Sequence, residues 1–171
     1  MNPDLDSLLH QYEAGRISRR ELLGTLAALV LPVTLPAQAG PAIGVAKHLN
    51  HATLRVTDVP RSRRFYQELF GMPVLTSQDP GVNLRVGSSF IGLYPVEQGE
   101  PARIDHVCLA LENFNADAVQ SKLAARKIEA TIRLRGDTKE LYFPDPDGIR
   151  IQLQDVRYRG GVGPLGDRDP Q

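Results

Sequence analysis

The sequence predicts an α+β fold in which two tandem βαβββ modules form a cupped mixed sheet with the helices on its convex side. Two observations carry this reading. An alternating strand followed by a helix and three short strands occurs twice, with the copies starting at His51 and His106, 55 positions apart. Each copy is too small to bury its own sheet, so the two are expected to form a joint structure.

The first copy opens on His51-Ala-Thr-Leu-Arg-Val-Thr57, which alternates polar and apolar residues as a half-buried strand does. Asp58-Val59-Pro60 starts a helix, with Pro60 suited to its first turn. That helix runs to about Phe70, is expected to bury Phe65, Leu69 and Phe70, and stops at Gly71. Strands are predicted over Pro73–Ser77, Val82–Val86 and Ser89–Tyr94. In the second copy, Asp105–Leu111 is the alternating strand, and Asn113 or Asn115 caps a helix over Ala116–Arg126 that buries Val119 and Leu123. Strands at Ile128–Arg135, Lys139–Phe143 and Gly148–Gln154 follow, the last two separated by the turn Pro144-Asp-Pro-Asp-Gly148.

Of the 171 residues, 42% are hydrophobic and 23% charged, which supports a packed core and excludes global disorder. Twenty basic residues balance 20 acidic ones, and such neutrality argues against a nucleic-acid partner. The single cysteine, Cys108, excludes an internal disulfide and a cysteine zinc site. Composition divides the chain into residues 1–46, a domain over 47–156, and a Gly-, Pro- and charge-rich segment over 157–171 that reads as a disordered tail. The outer edges of two four-stranded sheets need covers, so a homodimer or tightly paired modules are expected.

In the N-terminal region, Ser18-Arg19-Arg20 precedes an apolar run from Leu22 to Leu35 and then Ala37-Gln-Ala39, the layout of an export signal. The paired arginines resemble a twin-arginine signal, with Leu22 where that family often has Phe, and cleavage would follow Ala39. The run is broken by Pro32 and Pro36 and is too short for a stable membrane span of about 20 residues. Export to the periplasm or the extracellular space is therefore expected. The alternative is cytoplasmic residence, because Ser18-x-x-Glu21 is also a capping box and Leu5, Leu8, Leu9 and Tyr12 lie at helical spacing ahead of Gly15.

Strand alternation assigns the two faces of the sheet. Ala52, Leu54 and Val56 pack under a helix, as do Val107, Leu109 and Leu111, and Ile149, Ile151 and Leu153. The concave face then gathers His51, Thr53, Arg55 and Thr57, with His106, Cys108 and Ala110, and with Arg150, Gln152 and Gln154. Arg55, Arg85, Arg133, Arg135 and Arg150 all fall on the polar phase of their strands, and arginines that point inward favour an anionic ligand. Arg55, Arg150 and Tyr142 are the candidate substrate contacts, with Tyr94 as a second ring able to stack a planar ligand. Cys108 reads as a small buried residue rather than a nucleophile.

The segments His51–Asp58 and Arg64-Phe-Tyr-Gln-Glu-Leu-Phe-Gly71 resemble the first module of the vicinal oxygen chelate superfamily. Ile104-Asp-His106 and Tyr142-Phe-Pro-Asp-Pro-Asp-Gly148 resemble the second. The superfamily includes glyoxalase I, extradiol dioxygenases, fosfomycin- and bleomycin-resistance proteins and methylmalonyl-CoA epimerase. The resemblance implies metal ligands at His51, His106 and Gln152 and a divalent cofactor such as Fe, Mn, Ni or Zn. Gln152, however, stands where the family carries a carboxylate, and Gly92 where glyoxalase-like members carry a Glu. Three functions follow as expectations. One is a metal-dependent dioxygenase, lyase or isomerase acting on a small, oxygen-bearing, anionic molecule. The second is a metal-free binding protein of the bleomycin-resistance kind, and the third a scaffold.

Overall fold

A computed structural model describes residues 3–22 and 41–170, and the chain divides into two units, residues 1–41 and 42–171. In the first unit, helix α1 spans Pro3–Glu13 and is followed by Gly15 at φ +68°. The capping box at Ser18 is formed: the Ser18 amide and hydroxyl both donate to Glu21 Oε2 at 2.8 Å. Most of the apolar run and the Ala37-Gln-Ala39 triplet lie outside the described residues.

The second unit runs β1 (Ala46–Val56), α2 (Val59–Phe70), β2 (Val74–Gln78), β3 (Gly81–Val86), β4 (Ser89–Pro95), β5 (Arg103–Leu111), α3 (Ala116–Ala124), β6 (Thr131–Arg135), β7 (Thr138–Pro144) and β8 (Arg150–Asp155). The strands join into one curled eight-stranded sheet, ordered β2-β3-β4-β1-β5-β8-β7-β6. Within each module the first and last strands pair parallel, β1 with β4 and β5 with β8. The modules join where β1 and β5 pair antiparallel, so each inner sheet edge is covered by the other module.

Local chemistry explains the boundaries. Asp58 caps α2 by accepting from the Arg61 amide at 2.8 Å, and Gly71 ends the helix at φ +63°, a left-handed conformation that costs glycine little. Asn115 caps α3 in the same way through the Ala118 amide at 2.9 Å. Under α2 lies a core of Met72, Val82, Leu84 and Leu93, and a second core joins Leu111, Val119, Leu123, Leu141 and Leu153.

Four sequence expectations need correction. Helix α2 presents Val59 and Tyr66, two turns apart, to the core, and leaves Phe65, Leu69 and Phe70 more than half exposed. Ile149 precedes β8 and is exposed. Strand β1 begins at Ala46 rather than His51. The segment after β8 is not a disordered tail: residues 157–170 fold back across the sheet and bury Tyr158. Its carbonyls supply the reason. Those of Tyr158, Arg159 and Gly160 accept from Asn50, Thr76 and Asn83, so a glycine-rich stretch is held by the buried polar side chains it satisfies.

Leu84→Ala, in the closed core, is expected to cost about 2–5 kcal/mol of stability. Phe70→Ala, on the exposed side of α2, should change it by less than about 0.5 kcal/mol. Urea denaturation of the two variants measures the difference.

Candidate functional site

The concave face encloses a cavity of about 350 Å³. Its floor is set by the centre of the sheet, where β1, β5 and β8 lie side by side. Pairing of His51 with Cys108, of Thr53 with His106 and of Cys108 with Gln152 brings three polar side chains to one spot. His51 Nε2 lies 3.2 Å from His106 Nε2 and 3.0 Å from Gln152 Oε1. All three residues are buried, and Gln152 Nε2 has no hydrogen-bond partner among the described residues.

Each histidine is held from behind by the residue that precedes it. Neighbours along a regular strand point to opposite faces, so such a contact needs an irregular backbone. Both strands supply one. The β1–β5 register skips Asn50 between the Leu49–Leu109 and His51–Cys108 pairs, and skips Asp105 between Thr53–His106 and Leu54–Ile104. A bulge of this kind re-aims side chains. Asn50 Oδ1 consequently meets His51 Nδ1 at 2.8 Å, and Asp105 Oδ2 meets His106 Nδ1 at 3.2 Å. Sequence alternation missed both partners, although a polar residue directly before each matched histidine was a visible signal.

The electrostatics follow from these contacts. Burial, reinforced by the neighbouring His106, holds the His51 imidazole well below its usual range and so keeps it neutral. The hydrogen bond from His106 lowers the Asp105 carboxyl to about 2, and the nearby Arg150 and Arg55 charges add to that against the opposing effect of burial. Asp105 also anchors Arg150, whose Nη1 lies 3.3 Å from both carboxylate oxygens, and Arg55 at 3.8 Å. The Arg150 guanidinium sits 4.1 Å above the Tyr142 ring, a cation–π distance.

A second carboxylate in the cavity, Glu140, also escaped the sequence reading. It is only 1% exposed and accepts from Arg135 Nε at 2.9 Å, the Tyr158 hydroxyl at 3.0 Å and the Tyr142 hydroxyl at 3.0 Å. The signal was its place two residues before Tyr142 on β7, which gives both the same face. Burial, followed by the Glu140 charge, pushes both tyrosine hydroxyls above their ordinary range and keeps them protonated donors.

Arg55, Arg133, Arg135 and Arg150 line the cavity, whereas Arg85 lies outside it in a separate groove beside Arg159. Tyr94 sits between two of them, with Arg55 and Arg135 each about 6 Å from its ring. Its hydroxyl donates to Gln78 and Asn83. Gly92 pairs with Thr53 on the same face, where a Cβ would come within 2.9 Å of Asn83 Oδ1 and 3.0 Å of the Tyr94 ring. The space that a side chain at position 92 would need is thus filled by Asn83 and Tyr94. Cys108 is fully buried and its thiol is pushed well up by burial, the state of a packing residue. Gln154 turns away to donate to the Lys139 carbonyl. Among the described residues no three His, Cys, Asp or Glu side chains form a metal-holding group, and the third polar side chain beside the two histidines is the Gln152 amide.

The fold has relatives among known proteins. The family model for the Glyoxalase/Bleomycin resistance protein/Dioxygenase superfamily matches residues 48–153. The metallothiol transferase FosB of Lysinibacillus sphaericus is 26% identical over 113 residues, covering 61% of this chain and 79% of that protein. The lactoylglutathione lyase of Haemophilus influenzae is 28% identical over 135 residues, covering 66% and 96%. Among solved structures, homoprotocatechuate 2,3-dioxygenase of Brevibacterium fuscum superposes with a TM-score of 0.59 at 21% identity, covering 77% of this chain and 37% of that one. The Mn(II)-bound glyoxalase of Novosphingobium aromaticivorans gives 0.54 at 19% identity, covering 66% and 39%. The chain thus spans less than half the length of either of these two structures.

Glu140→Gln keeps the shape of the buried group and removes the charge that Arg135 and two tyrosines hold. A loss on the order of 2 kcal/mol is expected, read as a lower denaturant midpoint with an unchanged slope.

Proposed function

Because the chain belongs to the Glyoxalase/Bleomycin resistance protein/Dioxygenase superfamily, we propose that it is a divalent-metal-dependent enzyme acting on a small anionic molecule that bears neighbouring oxygens. The cation would be held by His51 Nε2, His106 Nε2 and Gln152 Oε1. One observation carries the reading. Both imidazoles turn Nδ1 to an acceptor oxygen, an arrangement that would leave both Nε2 atoms bare where they meet at 3.2 Å, with an amide oxygen 3.0 Å from one of them. Converging lone pairs in a buried site repel one another, and a cation removes the repulsion. The orphaned Gln152 Nε2 fits the same picture, because its amide is oriented oxygen-first toward the histidines.

A cation bound there supplies Lewis-acid polarisation of substrate oxygens. The chain's own residues do the rest. Arg150 and Arg55, fixed by Asp105, and Arg135, fixed by Glu140, offer guanidinium forks to an anionic group. Tyr142 and Tyr94 give flat walls against which a planar substrate would lie. Phe90 and Tyr158 close the floor around His51 and keep water from its ring. A neutral His-His-Gln set binds a cation more weakly than one with a carboxylate, and leaves it more electrophilic. The named metallothiol transferase and Mn(II)-bound glyoxalase relatives support metal dependence. The metal-free binding alternative is favoured by one feature, the absence of a carboxylate at both Gly92 and Gln152.

Calorimetric titration with manganese, iron(II), nickel and zinc decides between them. Wild type should bind a divalent ion, Gln152→Glu should bind it at least tenfold more tightly, and His106→Ala should not bind. No binding by wild type or by Gln152→Glu would end the metalloenzyme reading. Arg150→Ala should weaken an anionic ligand in either case.

Export is part of the same proposal and rests on Ser18-Arg19-Arg20 ahead of an apolar run and Ala37-Gln-Ala39. Replacing both arginines by lysine should leave full-length protein inside the cell, and exported wild type should begin at Gly40. Cytoplasmic protein from wild-type cells that retains Met1 would refute it.

A further inference from the structure

We propose that Asn50 and the C-terminal segment together decide which nitrogen of His51 carries the proton, making Asn50 and Tyr158 positioning residues of the cation site proposed above, on which this inference rests. The relay starts from a group of fixed polarity. A backbone carbonyl accepts and never donates, so the atom of Asn50 that meets the Tyr158 carbonyl at 3.1 Å is its amide nitrogen. That turns Asn50 Oδ1 the other way, onto His51 Nδ1 at 2.8 Å. An amide oxygen only accepts. The proton of the neutral imidazole therefore sits on Nδ1, and Nε2 is left bare toward the cavity.

This outcome has a built-in competitor. Gln152 Oε1 stands 3.0 Å from His51 Nε2 and would accept a proton there. Asn50 and Gln152 thus compete for one imidazole proton, and the Tyr158 carbonyl settles the contest by fixing how the Asn50 amide is turned. His106 needs no such referee. Both oxygens of its partner Asp105 are acceptors, so turning the carboxylate over changes nothing. An asparagine turned over would offer its NH₂ group instead, and the first module accordingly depends on an outside contact where the second does not.

That contact is firmly seated. The Tyr158 hydroxyl donates to Glu140 at 3.0 Å, and the next two carbonyls accept from Thr76 and Asn83. Gly160, at φ +82°, lies so close to the sheet that a Cβ would approach Asn83 Nδ2 to 2.5 Å and the Phe90 ring to 2.7 Å. Phe90 in turn stacks on His51 with centroids 4.3 Å apart. The segment therefore meets His51 by two routes, the Asn50 amide and the Phe90 ring.

The test uses full-length, metal-free protein with ¹⁵N-labelled histidine, studied by long-range ¹H–¹⁵N correlation at a pH above the imidazole range. Wild type should show His51 protonated on Nδ1. Asn50→Leu should move the proton to Nε2, and Asn50→Asp, whose carboxylate only accepts, should return it to Nδ1. Gly160→Ala, shown to be folded by circular dichroism, should give a mixture of the two forms with His51, Asn50 and Gln152 all unsubstituted. Zinc affinity, measured in parallel, should fall about 10–100-fold in Asn50→Leu and recover in Asn50→Asp. A His51 tautomer unchanged in both Asn50→Leu and Gly160→Ala overturns the relay. A switch in Asn50→Leu with none in Gly160→Ala overturns the part played by the C-terminal segment. If Asn50→Leu does not fold, Gly160→Ala alone decides. A wild type that has the stated tautomer but binds no zinc overturns the cation site and leaves the Asn50 relay standing.

Discussion

Strands β1 and β5 run antiparallel from the Ala46–Leu111 pair to the Arg55–Arg103 pair, and this seam is what the site depends on. It joins two half-sheets that could not bury their own faces, and it puts the first strand of each module at the centre. His51 and His106 reach across it to each other. A regular ladder would have carried Asn50 and Asp105 to the opposite face from the histidines they support. The skipped residues in the seam bring both back, so the same irregularity in each module serves the same purpose. The cost is a ladder interrupted beside the site, which the long pairing on either side can absorb.

Charge in the cavity is arranged around two carboxylates. Asp105 holds Arg55 and Arg150 at one wall, and Glu140 holds Arg135 near the other, with Arg133 farther off at 4.0 Å. An isolated buried carboxylate would be costly, and each of these is tolerated because guanidinium, imidazole or hydroxyl donors surround it. The arginines gain rigidity in exchange. A guanidinium already fixed by a carboxylate would lose little further freedom on meeting an anion.

Much of this was legible in the sequence, and the parts that were not share a cause. Period-two alternation placed His51, His106 and Gln152 on one face because the strands are regular over the stretches that hold them. The helix start at Asp58-Val59-Pro60, the cap at one of Asn113 and Asn115 and the stop at Gly71 were readable because they are local chemistry. Asn50 and Asp105 were hidden because a bulge breaks the period that the reading relies on. Glu140 was passed over because the family pattern directed attention to positions 92 and 152, although its own alternation with Tyr142 placed it correctly. The apolar side of α2 was misjudged because Phe65, Leu69 and Phe70 flank the line through Val59 and Tyr66 that meets the core. The C-terminal segment has no periodicity at all. Its order comes from polar side chains far away in sequence, and composition cannot report that.

The distance along the chain between Asn50 and Tyr158, 108 positions, has a consequence for how the protein is made. Synthesis runs from the N-terminus, so Asn50 and both histidines leave the ribosome well before Tyr158 does. Long-range closures of this kind are also among the slower events of folding. A nascent chain therefore holds Asn50 before it holds the carbonyl that its amide meets, and the contact forms only once both ends of the domain are present. The segment that seats Tyr158 can therefore act on the cavity only after the strands between the two residues have been made, as a late event of folding.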